Sequence, residues 1–416
     1  MSIDKTLEEF IAQTIETHRK DLRELAKQIH DHPEVGFEEK FAHEYLTKLL
    51  EEKGFTVERH AGGIETAFVA TYDTGKPGPR IGVCSEFDAL QLSDNLVCHA
   101  CGHNLIATVG VATALSLRYA VAEPSYQGGG KIVLFGTPAE EGQGGKNYML
   151  DAGLFEQVDV CMMAHPSNGN KQFGRTPTIA RQSIKVEYFG KPAHAGGMPW
   201  KGVNALDAMV LAYNGISTLR QQLTPNDRIH GIITNGGSAP NVIPDYTSGQ
   251  FTVRALKKDQ LEQLQSKVEK IFRSAADATG CEIKLSWDKN PYLDTMHNKK
   301  MMNVFSTAME SLGFADINPG VENPPPVTAS TDFGNVSYAM PGIHPMFGIN
   351  TPHFPHTAGF ADAAATDDGF EAALVTARAL TVTGMSVLQD DQFYHQVVEE
   401  FKQIEIDGKT KDDSIY

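Results

Sequence analysis

The hydrophobic and polar positions along the chain predict alternating helices and strands in its first third. Apolar residues from Phe10 to Ile29 recur at the three- and four-residue spacing of a helix, and this pattern stops before Pro33. Further helical segments are predicted at 41–53 and 104–119, and strand-like apolar runs at 65–72, 80–87, 131–135 and 159–163. Alternation of these lengths is typical of a layered α/β domain with a largely parallel sheet flanked by helices.

From about Arg181 onward the pattern changes. Two helical segments separate strand-like runs at 183–189, 228–234, 249–255 and 282–287, which gives the order β-α-β-β-α-β. This order suits a small four-stranded sheet with both helices on one face, a ferredoxin-like α+β arrangement. After Asn298 the α/β pattern resumes. We therefore expect residues 1–181 and 297–416 to form one domain and residues 182–296 to form a second domain inserted into it.

Composition narrows the classes of function. The 416 residues include 36 Lys and Arg against 52 Asp and Glu, a formal charge of −16, which argues against nucleic acid or an anionic membrane as partner. The longest weakly polar run, 105–117, is shorter than the roughly 20 residues of a membrane span. The N-terminal residues show no basic segment followed by an apolar one, so we expect no secretory signal. The expected lack of a secretory signal, together with an odd count of 5 cysteines, favours a cytoplasmic protein.

Residues capable of metal chemistry follow several of the predicted strands. Cys98, Cys101 and the neighbouring His99 and His103 lie between a strand and a helix. This cluster has three interpretations: a redox C-x-x-C pair, half of a zinc knuckle, or part of a catalytic metal site. A loop whose cysteines are simply buried is the plainer alternative.

Glu140 and Glu141 come shortly after the strand at 131–135, and His165 follows the strand at 159–163. The carboxyl ends of parallel strands meet at one edge of a sheet, where α/β proteins bind ligands. One glutamate could then bind a metal while the other remains free as a base. A solvated acidic turn and a structural histidine are the alternatives, but three successive strand ends with metal-binding residues favour a site.

Three further histidines are candidates with weaker signals. His353 and His356 lie in a Pro-rich loop, and either could be a ligand or a surface residue. His194 lies in a turn just beyond a strand of the inserted domain, where a solvent-facing histidine is the ordinary interpretation.

Taken together, these motifs resemble peptidase family M20, and within it the hippuricase-like subfamily D. The resemblance covers nearly the whole chain and extends to the branch of aminobenzoyl-glutamate hydrolase B subunits and cytosolic M20 dipeptidases. The motifs that carry it are His30–Glu34, Ser85–Leu90, His99–Asn104, Pro138–Glu141, Ala193–Ala195 with Gly202–Leu206, Asn241–Asp245, Ser330–Ser337 and Pro341–His344.

The resemblance implies a metal-dependent hydrolase that cleaves the amide bond of a dipeptide or an N-acyl amino acid. It implies two divalent metal ions, Zn²⁺ first and Mn²⁺ or Co²⁺ as substitutes, and a homodimer formed through the inserted lid domain. Glu140 would be the general base, Asp88 an orienting acid, and His194 a residue that reaches the partner subunit's active site. Asn241 and Arg254 would contact the substrate. The implied metal ligands are Cys101, His103, Glu141, His165 and His356, the last preferred to His353 because Thr357 and Phe360 follow it.

The chain departs from many relatives at Glu86, where they carry a histidine that binds metal, and at Asn104, where Asp is common. In subfamily D the Cys101 and His103 pair is the accepted substitute for that histidine. Two other interpretations stay open at this stage: a metal-independent amidase with Cys101 as nucleophile and His103 as its base, and a catalytically silent binding subunit of the same fold.

Overall fold

The computed structural model of the chain describes residues 5–327 and 329–410. These residues divide into two compact units. The first unit comprises residues 5–177, 295–325 and 335–410, and the second comprises Thr178–Asp294 with residues 326–327 and 329–334. The second unit therefore begins and ends within a few residues of the predicted inserted domain and adds a short later segment.

The first unit begins with helices packed around a mixed sheet. Up to residue 177 the elements are α1 (Lys5–Asp31), α2 (Lys40–Glu52), β1 (Thr56–Arg59), β2 (Phe68–Asp73), β3 (Arg80–Glu86), β4 (Leu90–Ser93), β5 (Leu96–Cys98), α3 (His103–Ala122), β6 (Lys131–Thr137), α4 (Gly145–Asp151), β7 (Val160–Met162), β8 (His165–Ser167) and β9 (Gly169–Gly174).

The second unit has the β-α-β-β-α-β order that the sequence predicts. Its elements are β10 (Ala180–Phe189), α5 (Ala205–Leu219), β11 (Arg228–Asn235), β12 (Tyr246–Ala255), α6 (Lys258–Thr279) and β13 (Glu282–Trp287). The strands pair antiparallel in the order β11-β12-β10-β13, so β11 is an edge strand. Apolar residues of the sheet and of both helices form a core within this unit.

After residue 294 the chain completes the fold. The elements are α7 (Lys299–Ser311), β14 (Ala315–Asp316), α8 (Phe333–Ala339), β15 (Gly342–Ile343), β16 (Met346–Thr351), α9 (Ala358–Ala364), α10 (Asp367–Gln389) and α11 (Asp391–Thr410). A second, smaller sheet of the first unit has the order β14-β9-β16-β8.

The main sheet of the first unit has the order β1-β2-β6-β3-β7-β15. From β6 to β15 every neighbouring pair is parallel, whereas β1 and β2 pair antiparallel at one edge. The central strands β3 and β6 are buried along nearly their whole length, as their continuous apolar runs predict. The predicted fold class, a largely parallel α/β sheet with an inserted α+β domain, is confirmed.

Two helices of this unit are apolar on almost all sides because they lie in its interior. Both α3 and α10 are long and apolar enough to cross a membrane, but 83% and 78% of their most apolar windows are buried inside the fold. The two helices pack against each other, and α3 also packs against α1 and β3. Burial within the protein thus accounts for their composition.

Candidate metal centre

The sheet topology brings the predicted site residues of the first unit to one edge. Strands β3 and β6 are parallel neighbours in register, with Glu86 opposite Thr137. Asp88 follows the first strand, and Glu140 and Glu141 follow the second. Because parallel neighbours end at the same edge, three carboxylates are delivered to one place.

Cys101 lies at the middle of the cluster. Its Sγ is 3.4 Å from Nε2 of His165 and 3.5 Å from Nε2 of His356. Cys101 lies two residues before α3, and His103 is the first residue of that helix. His165 is the first residue of β8. The backbone N–H of His356 donates to the carbonyl of Ala100 at 2.8 Å, which anchors the late loop beside the cysteine.

The donor atoms form groups small enough to hold cations. Cys101, His103 and His165 form one group, and Cys101, Glu141 and His356 form another, with the donor atoms of each within 4.8 Å of one another. The two groups share Cys101. A thiolate at this position therefore lies between two sites, which fits a pair of metal ions.

Two buried atoms of this cluster test whether a metal fits. Nε2 of His103 and Oε1 of Glu141 are buried and have no hydrogen-bond partner among the described residues, and they lie 3.8 Å apart. Buried polar atoms are normally satisfied. Imidazole, thiolate and carboxylate donors are those that Zn²⁺ uses, and the carboxylate also suits Mn²⁺, so the residues fit divalent metal ions.

The electrostatics of the cluster favour a bound cation. Burial alone would lower the pKa of His103, but the adjacent carboxylate of Asp88, with Glu86 and Glu141, raises it to about 10. Burial likewise opposes ionisation of Glu141, yet His356 and His103 hold its pKa at about 2. Negative charge is thus concentrated where the unpartnered donors meet.

Asp88 orients two of the donors. Its Oδ1 accepts a hydrogen bond from Nδ1 of His103 at 2.8 Å, which leaves Nε2 to face the cluster. Its Oδ2 accepts from the backbone N–H of Glu141 at 2.9 Å. Such a carboxylate–histidine pair fixes the tautomer and ring orientation of a ligand.

Glu140 is buried, only 6% exposed, and a carboxylate oxygen of this residue lies within 4.8 Å of donor atoms of His103 and Glu86. Ala139, directly before it, has a positive φ of 56°. Its N–H donates to Oε1 of Glu39 at 2.8 Å. The backbone that carries the candidate base is therefore held in an unusual conformation by a buried carboxylate.

The environment of Cys101 disfavours a cysteine nucleophile. Burial and the nearby Glu141 and Glu140 raise the pKa of its thiol well above the ordinary value. Reactive cysteines lie in electropositive surroundings instead. All five cysteines are free thiols, and Cys98 lies in β5 rather than in the donor groups.

The structure distinguishes His356 from His353 as a candidate metal ligand. His356 belongs to a donor group, with its Nε2 3.4 Å from Oε1 of Glu141, and it adopts a positive φ of 68°. His353 belongs to none of the donor groups of the described residues, and its ring lies against Gly359. The geometry thus favours the preferred histidine.

The remaining predicted residues, His194, Asn241 and Arg254, belong to the second unit. Nδ1 of His194 accepts hydrogen bonds from the backbone N–H groups of Gly196 and Gly197, at 3.2 and 3.0 Å. Its Nε2 therefore carries the proton and can donate. The carbonyl of Asn241 accepts from the N–H of Ala195 at 2.9 Å, so the two predicted lid motifs lie side by side.

Arg254 lies in β12 and is half-buried. Its Nε donates to Nε2 of His230 at 3.4 Å and its Nη1 to Oγ of Ser330 at 3.2 Å. Burial, and the charge of Arg181 nearby, lower its pKa.

Sequence reasoning missed two residues next to the centre, Glu39 and Lys146. Glu39 belongs to a Glu-Glu pair directly before α2, which reads as an ordinary helix start. Lys146 follows a glycine-rich turn, Gly142–Gly145, and reads as exposed although it is fully buried. A lysine one turn after the Glu140–Glu141 pair is the only local signal.

The chain is similar to known proteins over most of its length. Residues 181–280 match the M20 peptidase dimerisation domain. The Xaa-Arg dipeptidase of Mus musculus is 40% identical over 401 residues, covering 94% of this chain and 91% of that protein. The B subunit of the p-aminobenzoyl-glutamate hydrolase of Escherichia coli is 29% identical over 465 residues, covering 95% of each.

A solved structure shows the same fold. A Bacillus subtilis protein described as a dinuclear metal-binding peptidase of the M20 family superposes with a TM-score of 0.67 at 22% identity, covering 93% of this chain and 99% of that one. Fold, site and relatives together define a metal-dependent peptidase or amidohydrolase. The chain belongs to the M20 peptidase family.

Proposed function

We propose that the protein hydrolyses the amide bond of a dipeptide or an N-acyl amino acid and releases a free amino acid. The observation that carries this proposal is that two groups of metal-binding donor atoms share Cys101 and lie beside the buried Glu140. The dipeptidase and aminobenzoyl-glutamate hydrolase activities for which the relatives are named support this class of substrate.

The proposed metal ligands are Cys101, His103, Glu141, His165 and His356. Two divalent ions, Zn²⁺ first and Mn²⁺ or Co²⁺ as alternatives, suit these donors. When bound, the ions would lower the pKa of a water molecule and polarise the substrate carbonyl.

Glu140 is the proposed general base. Its carboxylate lies at the edge of the donor groups without belonging to the two that share Cys101, so it remains able to take a proton from water and pass it to the leaving nitrogen. Such acid–base help is worth about 10²–10⁴-fold in rate. Asp88 supports it by holding His103 and the backbone of Glu141.

The second unit is the proposed lid and dimerisation domain, with the predicted boundaries 182–296. The α/β domain that it divides, predicted at 1–181 and 297–416, is the proposed catalytic domain. The Nε2–H of His194 suits a hydrogen bond to the developing oxyanion, and removal of one such donor costs about 10²–10³-fold. Asn241 and Arg254 are the proposed substrate contacts, Arg254 as a cation for a carboxylate.

The match to a dimerisation domain supports a homodimer. We also propose a cytoplasmic location, which the odd cysteine count supports.

The test is the Glu140→Gln variant, assayed against a panel of dipeptides and N-acyl amino acids with and without added metal. Turnover should fall by at least about 10²-fold because the proton acceptor is lost, while metal content stays unchanged. Glu141→Gln is the matched control and should lose metal. Full activity of Glu140→Gln, or a wild-type protein that binds no metal, would contradict the proposal.

A further inference from the structure

Lys146 is a buried cation beside the proposed metal centre. It lies in the first turn of α4, it is fully buried, and its Nζ contacts Oε1 of Glu86, which is also fully buried. Lysine is almost never fully buried unless it is paired. An ion pair of two desolvated groups is maintained only where each partner compensates the charge of the other.

Glu86 also faces the metal centre. Its Oε2 is 3.5 Å from Nε2 of His103, the nitrogen that has no hydrogen-bond partner among the described residues. Glu86, His103 and Glu140 form a third group of donor atoms within 4.8 Å of one another. Judged by its donors alone, this group is as suitable for a divalent cation as the two that share Cys101.

The charge of Lys146 distinguishes the third group from the others. A divalent ion bound to Glu86 would lie close to the ammonium group in a desolvated interior, where like charges repel strongly. The same ammonium compensates the charge of Glu86, so this carboxylate is a poorer ligand than Glu141, whose contacts are with the imidazoles of His103 and His356, themselves candidate ligands. The groups that share Cys101 have no lysine contact among the described residues.

We propose that Lys146 serves as a built-in cation of the third donor group, which prevents Glu86 from binding metal and confines divalent ions to the two groups that share Cys101. This inference rests on the metal centre of the proposed function. Lys146 is thus a positioning residue that sets where ions bind and how tightly.

The test measures binding of Mn²⁺ alone to chelator-treated full-length protein, by calorimetry and by electron paramagnetic resonance of the free ion. Lys146→Met, which removes the ammonium charge beside Glu86, should bind Mn²⁺ about 10–100-fold more tightly or bind one more ion per chain. Glu86→Gln, which removes the negative charge that contacts both Lys146 and His103, should bind it at least about tenfold more weakly. The double variant should return close to the wild type.

Lys131→Met is the matched control, since Lys131 pairs with Asp73 at 2.8 Å on the surface of the same unit. It should leave Mn²⁺ binding unchanged. Equal affinities of the wild type, Lys146→Met and the double variant would overturn the inference, as would an equal gain in Lys131→Met.

Lys146→Met removes a buried charge partner of Glu86 and can fail to fold, since breaking such a pair costs about 3–5 kcal/mol. In that case Glu86→Gln and the double variant decide: weaker binding in the first that is restored in the second supports the inference, and equal binding overturns it. A wild-type protein that binds no Mn²⁺ would contradict the proposed metal centre itself, and normal binding with no effect of Lys146 would contradict only this inference.

Discussion

Glu39 shows how a single buried side chain can position a loop of the site. It is fully buried, and it accepts hydrogen bonds from the N–H of Ala139 and from Oγ1 of Thr66, both at 2.8 Å. Burial and the nearby Asp88 raise the pKa of Glu39 to about 7. A carboxyl group with this pKa is largely neutral in mild acid, so glutamine is its closest isostere.

Glu39→Leu should lower the free energy of unfolding, measured by chemical denaturation. The variant leaves two buried polar groups without a partner, and each such group costs about 1–3 kcal/mol. Glu39→Gln should keep most of the stability, because its Oε1 can accept from the N–H of Ala139 while its amide N–H donates to Oγ1 of Thr66. The pKa of Glu39 is higher in the folded than in the unfolded protein, so the wild type loses stability as pH rises from about 4.5 to 7. Since Glu39→Gln lacks this titrating group, its stability relative to that of the wild type should rise between pH 5 and 8. An unchanged stability of Glu39→Leu would rule out this role.

At the scale of elements, the segment between Cys101 and His103 depends on one glycine. Gly102 has a φ of 76°, and a Cβ added to it would lie 2.7 Å from Cγ of Pro166, the residue after His165. The left-handed turn and the close approach of β8 are both needed to direct the two donors toward His165.

Gly102→Ala should therefore lower both stability and Mn²⁺ affinity. The left-handed conformation costs an alanine about 1–2 kcal/mol, and the clash adds about 1–3 kcal/mol. Gly280→Ala is the control because Gly280 has a similar φ of 70° with nothing within 4 Å of the added Cβ. Denaturation and Mn²⁺ titration measure both variants. Equal losses in the two would show that contact with Pro166 does not matter.

The elements also show how far the sequence predicts the site. Apolar runs followed by Glu and His identify the ends of β6 and β7, and parallel strands of one sheet share an edge, so Glu141 and His165 are predictable together. Cys101 follows β5, which pairs antiparallel with β4 outside the main sheet, so the same argument does not place it. The choice of His356 depends on a contact with Ala100, 256 positions earlier, and no local pattern encodes it. Lys146 is missed for a related reason, since a lysine after glycines normally indicates an exposed turn.

At the scale of the whole molecule, the second unit presents apolar residues that a monomer would leave in water. Ile232 is 63% exposed on β11, the edge strand of the sheet, and Val210, Leu211 and Tyr213 of α5 are each more than 40% exposed. Exposed apolar edge strands are ready to pair with another chain. A second copy, pairing through this edge about a twofold axis, would cover Ile232.

Ile232→Lys should weaken the proposed homodimer by at least about tenfold in dissociation constant, because a charge buried in an apolar interface costs more than about 1.4 kcal/mol. Analytical ultracentrifugation over a concentration series measures the change. Val321→Lys is the control, since Val321 is 41% exposed and belongs to the first unit. It should remain dimeric.

Dissociation also tests where His194 acts. If His194 serves the partner subunit's site, the Ile232→Lys monomer should lose turnover by about 10²–10³-fold, the cost of one oxyanion donor, while its metal content stays at the wild-type level. A wild-type dimer whose Ile232→Lys monomer is fully active would show that each chain uses its own His194. A wild type that is already monomeric would instead remove the dimer from the proposal and leave the metal centre untouched.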